Sequence, residues 1–410
     1  MSNKAKTATM QNDAKAALMP KLRFPEFRGE AEWEATQLQK IAHPVIDRAV
    51  TGDGDNVLSL SGEHGLVLQS DYFGKKIAGD SAERYLKLLR NDFVYNDRTT
   101  KASTFGTIKR LSKYSGGIVS PIYKCFRFHS NENPIFWEWY FESGSHDAAL
   151  GGLVNEGARA GRFNISITQF LSTSAWRPEE PEQQKIADCL TSLDELIAAQ
   201  ARKVDALKTH KKGLMQQLFP REGETQPRLR FPEFQGAGEW VAKPLEAIAP
   251  LQRGFDLTSD EMRPGNVPIV YSNGPKGFHE KGMAKGPGIV TGRSGTIGKI
   301  HFVESGEYWP HNTSLWVTSF KGHAPKFVYY LYETIGFLRF ASGSGVPTLN
   351  RNDAHSFVSS VPRHTAEQQR IADCLTSLDD FIAVQTQKLG VLKTHKKGLM
   401  QQLFPSMEDA

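Results

Sequence analysis

Two stretches of the chain carry apolar residues at alternating spacings of four and three, the pattern of a helix that packs along a coiled-coil seam. The spacing predicts helices over 182–218 and 367–403, each ended by Leu-Phe-Pro because proline cannot continue a helix. Polar residues interrupt both seams at equivalent positions, Gln200 with Gln385 and Lys211 with Lys396. The apolar seam positions are Ile186, Leu190, Leu193, Ile197, Val204, Leu207, Leu214 and Leu218 in the first helix, and Ile371, Leu375, Leu378, Ile382, Leu389, Leu392, Leu399 and Leu403 in the second.

The segments that precede these helices alternate short apolar runs with glycine-rich turns, which predicts strands. The runs are GLVL (65–68), DFVY (92–95), GGIVS (116–120) and IYKCF (122–126) in the first block, and PIVY (268–271), GIVT (288–291), KIHFV (299–303) and SLWV (314–317) in the second. An aromatic stretch with helical character follows in each block, at 135–143 and 326–340. Each block then reaches a glycine-rich loop that ends in asparagine, at 157–164 and 342–350. The parallel order predicts one shared mixed α/β fold.

The chain is an internal duplication. Residues 20–42 and 227–249 are identical at 14 of 23 positions, and residues 182–220 and 367–405 at 30 of 39. The blocks between these repeats, 43–181 and 250–366, are nearly unrelated in sequence. Because one chain holds both copies of the helix, antiparallel pairing within the chain is favoured over homodimerisation.

These patterns predict an α+β protein in which two globular α/β domains are joined by two long helices that form an antiparallel coiled coil with pseudo-two-fold symmetry. The predicted segments are a disordered lead-in over 1–19, a first globular domain over 20–181, a first helix over 182–220, a second globular domain with its linker over 221–366, a second helix over 367–405 and a tail over 406–410.

Composition narrows the possible environments. The chain has 410 residues with 50 Lys and Arg against 45 Asp and Glu, a net charge of +5, which excludes a histone-like polycation. Three cysteines without a CxxC pair predict a reducing cytoplasm and neither a disulfide framework nor a structural zinc site. No apolar run approaches the roughly 18 residues of a membrane span, so no membrane partner is expected.

No catalytic motif is complete. The segment 292–299, GRSGTIGK, is similar to a phosphate-binding loop but has Ile300 where Ser or Thr is required, which favours a hairpin with turn glycines. The segment 133–136, NPIF, lacks one proline of the methyltransferase tetrapeptide and has no upstream glycine-rich cofactor loop. The histidines show no paired metal-ligand spacing. We therefore expect no catalytic residue, no metal site and no cofactor in this chain.

Local basic clusters are the candidates for DNA contact. Arg293 and Ser294 lie between two glycines, a turn that can present a guanidinium group, and arginine can bind guanine through two hydrogen bonds. Thr348, Asn350 and Arg351 stand at the end of a loop in a comparable way. Each candidate is equally compatible with an ordinary solvated surface. The remaining candidates are Lys75, Lys76, Arg98, Lys101, Lys109, Arg110, Arg159 and Arg162.

Four motifs together resemble one known family. They are Pro-x-Leu-Arg-Phe-Pro-Glu-Phe at 20–27 and 227–234, Glu-Gln-Gln-x-Ile-Ala-x-x-Leu-x-x-Leu-Asp at 182–194 and 367–379, Gly-Gly-Ile-Val-Ser-Pro-x-Tyr at 116–123, and Tyr-Trp-Pro-x-Asn-Thr-Ser-Leu at 308–315. With the duplicated layout, they resemble the specificity subunit of a type I restriction-modification enzyme. The resemblance covers nearly all of the chain from residue 20 onward.

This resemblance implies two target-recognition domains, each reading one half of a bipartite, asymmetric site in double-stranded DNA. It also implies that the paired helices space the domains and dock two methyltransferase subunits, while two restriction/motor subunits join for cleavage. Methylation and cleavage would then belong to the partners. The methyltransferase would bind S-adenosylmethionine and the motor-nuclease would bind ATP and Mg²⁺, in the cytoplasm of a bacterium or archaeon.

Two other classes remain open at this point. An enzyme, either a methyltransferase or a nuclease, would bind adenosylmethionine or need carboxylate motifs. A scaffold protein whose variable blocks bind proteins or glycans would show no salt-dependent retention of DNA.

Overall fold

The structure is a computed structural model that describes residues 17–50, 56–73, 82–100, 103–153, 163–343 and 346–405. The chain divides into two compact units. The first unit comprises Met1–Ala198 with Gly390–Ala410, and the second comprises Ala199–Leu389. Each unit therefore contains one variable block, the first half of one long helix and the last part of the other.

The first unit combines β-sheets with short helices around an aromatic core. Its described strands are β1 (Ala17–Leu18), β2 (Trp33–Gln37), β3 (Ala42–Pro44), β4 (Val57–Ser61), β5 (Gly65–Leu68), β6 (Leu86–Leu89), β7 (Phe93–Asn96), β8 (Thr107–Arg110), β9 (Gly116–Val119), β10 (Lys124–Phe128) and β11 (Ser174–Arg177). Its α-helices are α1 (Gln69–Phe73), α2 (Pro134–Glu142), α3 (Asp147–Gly151), α4 (Ile167–Ser172) and the beginning of the long helix α5 (Glu180–Leu218). Short 3-10 helices span Pro25–Phe27, Leu38–Lys40 and Ala82–Arg84.

The second unit has a corresponding set of elements. Its described strands are β12 (Val241–Pro244), β13 (Leu251–Arg253), β14 (Val267–Tyr271), β15 (Gly274–His279), β16 (Ala284–Lys285), β17 (Gly288–Gly292), β18 (Ile300–Val303), β19 (Glu307–Pro310), β20 (Ser314–Val317), β21 (Ala341–Ser342), β22 (Thr348–Leu349) and β23 (Val358–Val361). Its α-helices are α6 (Leu245–Ile248), α7 (Pro325–Ile335), α8 (Arg351–Ser356) and the beginning of the long helix α9 (Thr365–Leu403). Short 3-10 helices span Pro232–Phe234, Ser259–Glu261 and Phe337–Phe340.

The two units share one sheet topology although their variable blocks are unrelated in sequence. The sheet β3-β10-β7-β8 of the first unit corresponds to β13-β20-β17-β18 of the second, and β5-β4-β9-β6 corresponds to β15-β14-β19-β16. The same central strands run parallel in both units, β4 with β9 and β14 with β19. The predicted mixed α+β fold and its duplication are confirmed.

Each long helix pairs with part of the other inside each unit. In the second unit, Gln200 donates from Nε2 to the backbone oxygen of Gln385 at 2.9 Å and to its Oε1 at 3.0 Å. Eleven residues further along α5, Lys211 binds Asp379 at 2.7 Å. Asp379 precedes Gln385 on α9, so the two helices run in opposite directions. In the first unit, Lys396 forms the equivalent ion pair with Asp194. The helices therefore pair antiparallel, and all sixteen apolar seam residues are buried or half-buried.

A buried ion pair fixes the first repeat to the start of a long helix in each unit. Arg23 binds Glu182 at 2.7 Å, and Arg230 binds Glu367 through two nitrogens at 2.7 and 2.8 Å. The side chain of Glu367 is 1% exposed. A desolvated carboxylate raises the free energy of the fold unless it is paired, so each ion pair holds the repeat at 20–42 or 227–249 against the start of a long helix.

The structure corrects three sequence-based predictions. The helix predicted over 326–340 ends at Ile335, because Gly336 adopts a left-handed conformation with φ 72°, and the residues after it form a 3-10 turn. Residues 1–16 of the predicted disordered lead-in lie outside the described residues, but Ala17–Leu18 pair with Trp33–Glu34 as a strand, so the prediction is wrong for these two residues. The long helices begin at Glu180 and Thr365, two residues before their predicted starts. The tail at 406–410 lies outside the described residues.

Candidate nucleic-acid interface

The turn after β17 forms the centre of the candidate site in the second unit. The strands β17 and β18 pair antiparallel, so 292–299 is the turn of a hairpin, as predicted in preference to a phosphate loop. Gly292 is required at its start, because a Cβ there would overlap the carbonyl oxygen of Thr296. The backbone leaves the strand sharply and places Arg293 and Ser294 at the end of the sheet.

Backbone hydrogen bonds join this turn to two other loops. The amides of Arg293 and Ser294 donate to the carbonyl oxygen of Thr313 at 2.9 and 3.1 Å. The amide of Leu349 donates to the carbonyl oxygen of Arg293 at 2.8 Å, and Ser294 pairs with Thr348 as an isolated bridge. The structure therefore brings Thr348 beside Arg293 and Ser294, which lie more than fifty positions earlier in the sequence.

The Arg293 side chain is oriented by one further hydrogen bond. Its Nε donates to the carbonyl oxygen of Asn312 at 3.0 Å, while the side chain stays half-buried. The Asn312 amide donates to Asp256, and Asp256 also binds Arg253 at 2.7 Å. The hydrogen bond from Asn312 is the main cause that lowers the pKa of Asp256 below its usual value. The Asp256 carboxylate therefore lies near enough to the Arg293 guanidinium group to interact with its charge.

An aromatic pair borders the same site. The rings of Tyr271 and His311 lie 4.2 Å apart, and His311 Nδ1 is 3.0 Å from Thr313 Oγ1. Burial lowers the pKa of His311, against the opposing effect of Asp256. No sequence pattern predicted a site role for Tyr271, Asp256, His311 or Asn312. The motif at 308–315 contains the last two and was the available signal.

Asn350 and Arg351 lie at the start of a helix. The Asn350 side chain accepts a hydrogen bond from the Asn352 amide at 3.0 Å and so caps α8. This use of the side-chain oxygen is structural, since it satisfies an otherwise unpaired amide in the first turn. Arg351, the first residue of α8, is exposed to solvent.

The first unit has a polar cleft at the corresponding end of its sheet. The amide of Phe163 donates to the carbonyl oxygen of Asp97 at 3.2 Å, which matches the bond between Leu349 and Arg293. The cleft has a volume of about 530 Å³. Its polar lining includes Asn96, Arg98, Thr100, Ser103, Thr104, Thr107, Lys109, Glu142 and Asp147.

Among the first unit's candidate cations, the structure distinguishes exposed from paired residues. Arg98 is exposed in the cleft, whereas Lys109 binds Glu142 and Arg110 binds Glu138, both at 2.6 Å. These carboxylates belong to α2, so Lys109 and Arg110 attach that helix to β8 in the free chain. The candidates Lys75, Lys76, Lys101, Arg159 and Arg162 lie outside the described residues.

The described part of the chain has neither a metal-binding cluster nor a helix suited to span a membrane. It contains no group of three or more His, Cys, Asp or Glu residues arranged to hold a metal ion. None of its helices is long and apolar enough to cross a membrane. Asn133, in the segment that is similar to a methyltransferase motif, caps α2 by accepting from the amides of Ile135 and Phe136.

Comparison with known proteins relates this geometry to one class. Residues 238–394 match the family described as type I restriction modification DNA specificity domain. The type I restriction-modification system S subunit from M. genitalium superimposes with a TM-score of 0.59 at 15% identity, over 95% of this chain and 100% of that one. A chain from a structure concerned with complex assembly and conformational transition of the type I R-M system gives a TM-score of 0.56 at 14% identity, over 91% and 97%. No curated protein sequence matches the chain.

The match to a DNA specificity domain thus includes the whole second variable block, 250–366. Over the whole chain the similarity is to the fold of type I S subunits, the family that the sequence motifs resemble.

Proposed function

We propose that this chain reads a bipartite, asymmetric DNA sequence, one half-site per unit. The observation that carries the proposal is the contrast inside the duplication. The two units share their topology and their helix contacts, whereas the loops at the equivalent ends of their sheets differ completely. Equal scaffolds with unlike reading surfaces are suited to two unlike half-sites. Phosphate contacts would supply affinity, and a few base contacts would supply specificity.

We infer that the repeated surfaces serve assembly. A pseudo-two-fold scaffold presents two similar surfaces, which suits two copies of one partner. We assign that role to two methyltransferase subunits docked on the paired helices, which would also set the spacing of the half-sites, with two restriction/motor subunits joining for cleavage. Catalysis would rest with these partners, which would bind S-adenosylmethionine, ATP and Mg²⁺.

A domain exchange tests this function. The chain is co-expressed with its methyltransferase, and methylated adenines are mapped across the host genome. Replacing residues 250–362 by the equivalent block of another specificity subunit should change one half-site and leave the other intact. Replacing residues 43–181 is the matched control and should change the other half-site. A chimaera that assembles and alters both half-sites, or neither, would refute the proposal.

Arg293 gives a sharper prediction for the second unit. Arg293→Ala should weaken discrimination within that unit's half-site by about 1–3 kcal/mol, the value of one bidentate contact to guanine. Arg293→Lys should restore affinity more than discrimination, because lysine cannot make the same fork of hydrogen bonds. Methylation rates on cognate sites and on sites with single-base changes provide the measurement. Reduced assembly with an unchanged methylated sequence would show that this turn does not face DNA.

A further inference from the structure

Each seam lysine leaves the helix pair and reaches a helix of a globular domain. In the first unit, Lys396 Nζ lies 4.0 Å from the centre of the Trp139 ring on α2 while it binds Asp194. In the second unit, Lys211 Nζ lies 5.1 Å from the centre of the Tyr330 ring on α7. A cation over an aromatic face is stabilised by the ring quadrupole, more so where water is partly excluded.

The surroundings of both lysines are partly desolvated. The side chain of Lys211 is 16% exposed and that of Lys396 is 18% exposed. In the second unit the contact is reinforced, because Tyr330 Oη donates to Asp379 at 2.8 Å and Asp379 binds Lys211. Asp194 and Asp379 belong to the duplicated helices, whereas the rings belong to the variable blocks, as does Glu333 of α7, which Lys211 also binds at 3.4 Å. This contact therefore joins a constant scaffold to a variable domain in each unit.

A second contact fixes the beginning of α2 in the first unit and of α7 in the second. Gln183 of α5 accepts from the Asn133 amide at 3.0 Å, just before α2. Gln368 of α9 accepts from the Ala324 amide at 3.0 Å, just before α7. Each of these helices is thus bound at its beginning by one long helix and near its middle by the other. The two attachments together define its orientation on the helix pair.

The same domain helices contact the strand beside each candidate site. In the first unit, the ion pair of Glu142 with Lys109 connects α2 to β8, and both residues line the polar cleft. In the second unit, Lys326 Nζ lies 4.0 Å from the centre of the Phe302 ring, which connects α7 to β18. The hairpin turn that carries Arg293 leads into β18. A shift of α2 or α7 would therefore displace the loops of the candidate site in the same unit.

We propose that Lys396 and Lys211 are positioning residues for sequence recognition, each acting on the half-site read by its own unit. This inference rests on the proposed function. Lys396 is located on the C-terminal helix α9 but belongs to the first unit. Lys396 therefore sets the accuracy of the half-site read by the N-terminal domain, and Lys211 sets that of the other domain.

The experiment compares matched lysines in the complete complex with the methyltransferase. Lys396→Met should lower discrimination at the first unit's half-site roughly tenfold and leave the second half-site unchanged, in line with the loss of a partly desolvated cation–π contact. Lys211→Met should do the reverse. The controls are Lys393→Met and Lys208→Met, which remove an exposed charge one helical turn away and should change neither half-site. Lys396→Arg should retain most of the discrimination, and Tyr330→Phe should affect the second half-site alone.

Methylation of a randomised DNA library provides the readout, with each half-site assigned to its unit by the domain exchange. Selective relaxation of the half-site of the mutated unit supports the inference. Relaxation of both half-sites equally, of neither, or of the opposite one overturns it, since a lysine that merely stabilises the helix pair would not act selectively. If the wild-type complex methylates no bipartite sequence, the proposed function itself fails.

Discussion

Arg230→Met should lower the free energy of unfolding of the second unit by about 3–5 kcal/mol, because it leaves a buried carboxylate without its counter-ion. Glu367 is 1% exposed and receives two hydrogen bonds from Arg230 and one from Trp240 Nε1 at 3.1 Å. The bond to Glu367 is also the main cause that raises the pKa of Arg230, so the arginine remains charged at any ordinary pH. Methionine fills much of the space and supplies no charge.

Hydrogen exchange resolved by peptide is the suitable measurement, because a chain with two units need not unfold in one step. Protection should fall across 241–361 and much less across the first unit's globular domain. Arg370→Met is the control, since its ion pair with Glu233 is half exposed on both sides and should contribute about 0–1 kcal/mol. The double variant Arg230→Met with Glu367→Leu should recover part of the loss, since it removes the unpaired carboxylate. Equal effects of Arg230→Met and Arg370→Met would contradict this account.

The sequence predicted the fold where the pattern is long and periodic. The seam from Ile186 to Leu218 gave the helix and its pairing, because a heptad pattern specifies both the face and the period. Four strands of each block were located because apolar runs alternate with turn glycines, whereas others, such as β4, β8 and β15, were not predicted. The break at Gly336 was not predicted, since the apolar pattern continues past it into Phe337 and Phe340 while the backbone adopts a left-handed conformation.

The candidate site was predictable only in part. Arg293 and Ser294 were selected from their flanking glycines, and Thr348 from its loop, but their proximity depends on long-range backbone pairing that no local pattern encodes. The charges of Lys109 and Arg110 suggested DNA contact, yet the acidic partners Glu142 and Glu138 lie about thirty positions away on α2. Charge alone cannot show whether a cation is already paired within the fold.

If each unit reads one half-site as proposed, Gly292→Ala should strongly lower discrimination at the second unit's half-site and leave the first unit's half-site unchanged. A Cβ at Gly292 would overlap the carbonyl oxygen of Thr296, and backbone cannot rotate away as a flexible side chain can. The hairpin must open, and the amides of Arg293 and Ser294 then lose the carbonyl oxygen of Thr313. We expect discrimination at this half-site to fall on the order of 100-fold, because one turn positions several contacts of about 1–3 kcal/mol each.

A second glycine of the same unit separates the effect of crowding from that of losing a glycine. At Gly236 an added Cβ meets nothing within 4 Å and the backbone is not left-handed, so Gly236→Ala should leave both half-sites unchanged. Methylome mapping of both variants, together with the wild type, measures each half-site separately. Because the domain exchange assigns one half-site to each unit, the first half-site serves as an internal standard for assembly. If Gly292→Ala retains full discrimination at both half-sites, the turn that carries Arg293 does not read DNA. The reading surface of the second unit would then lie elsewhere on its sheets.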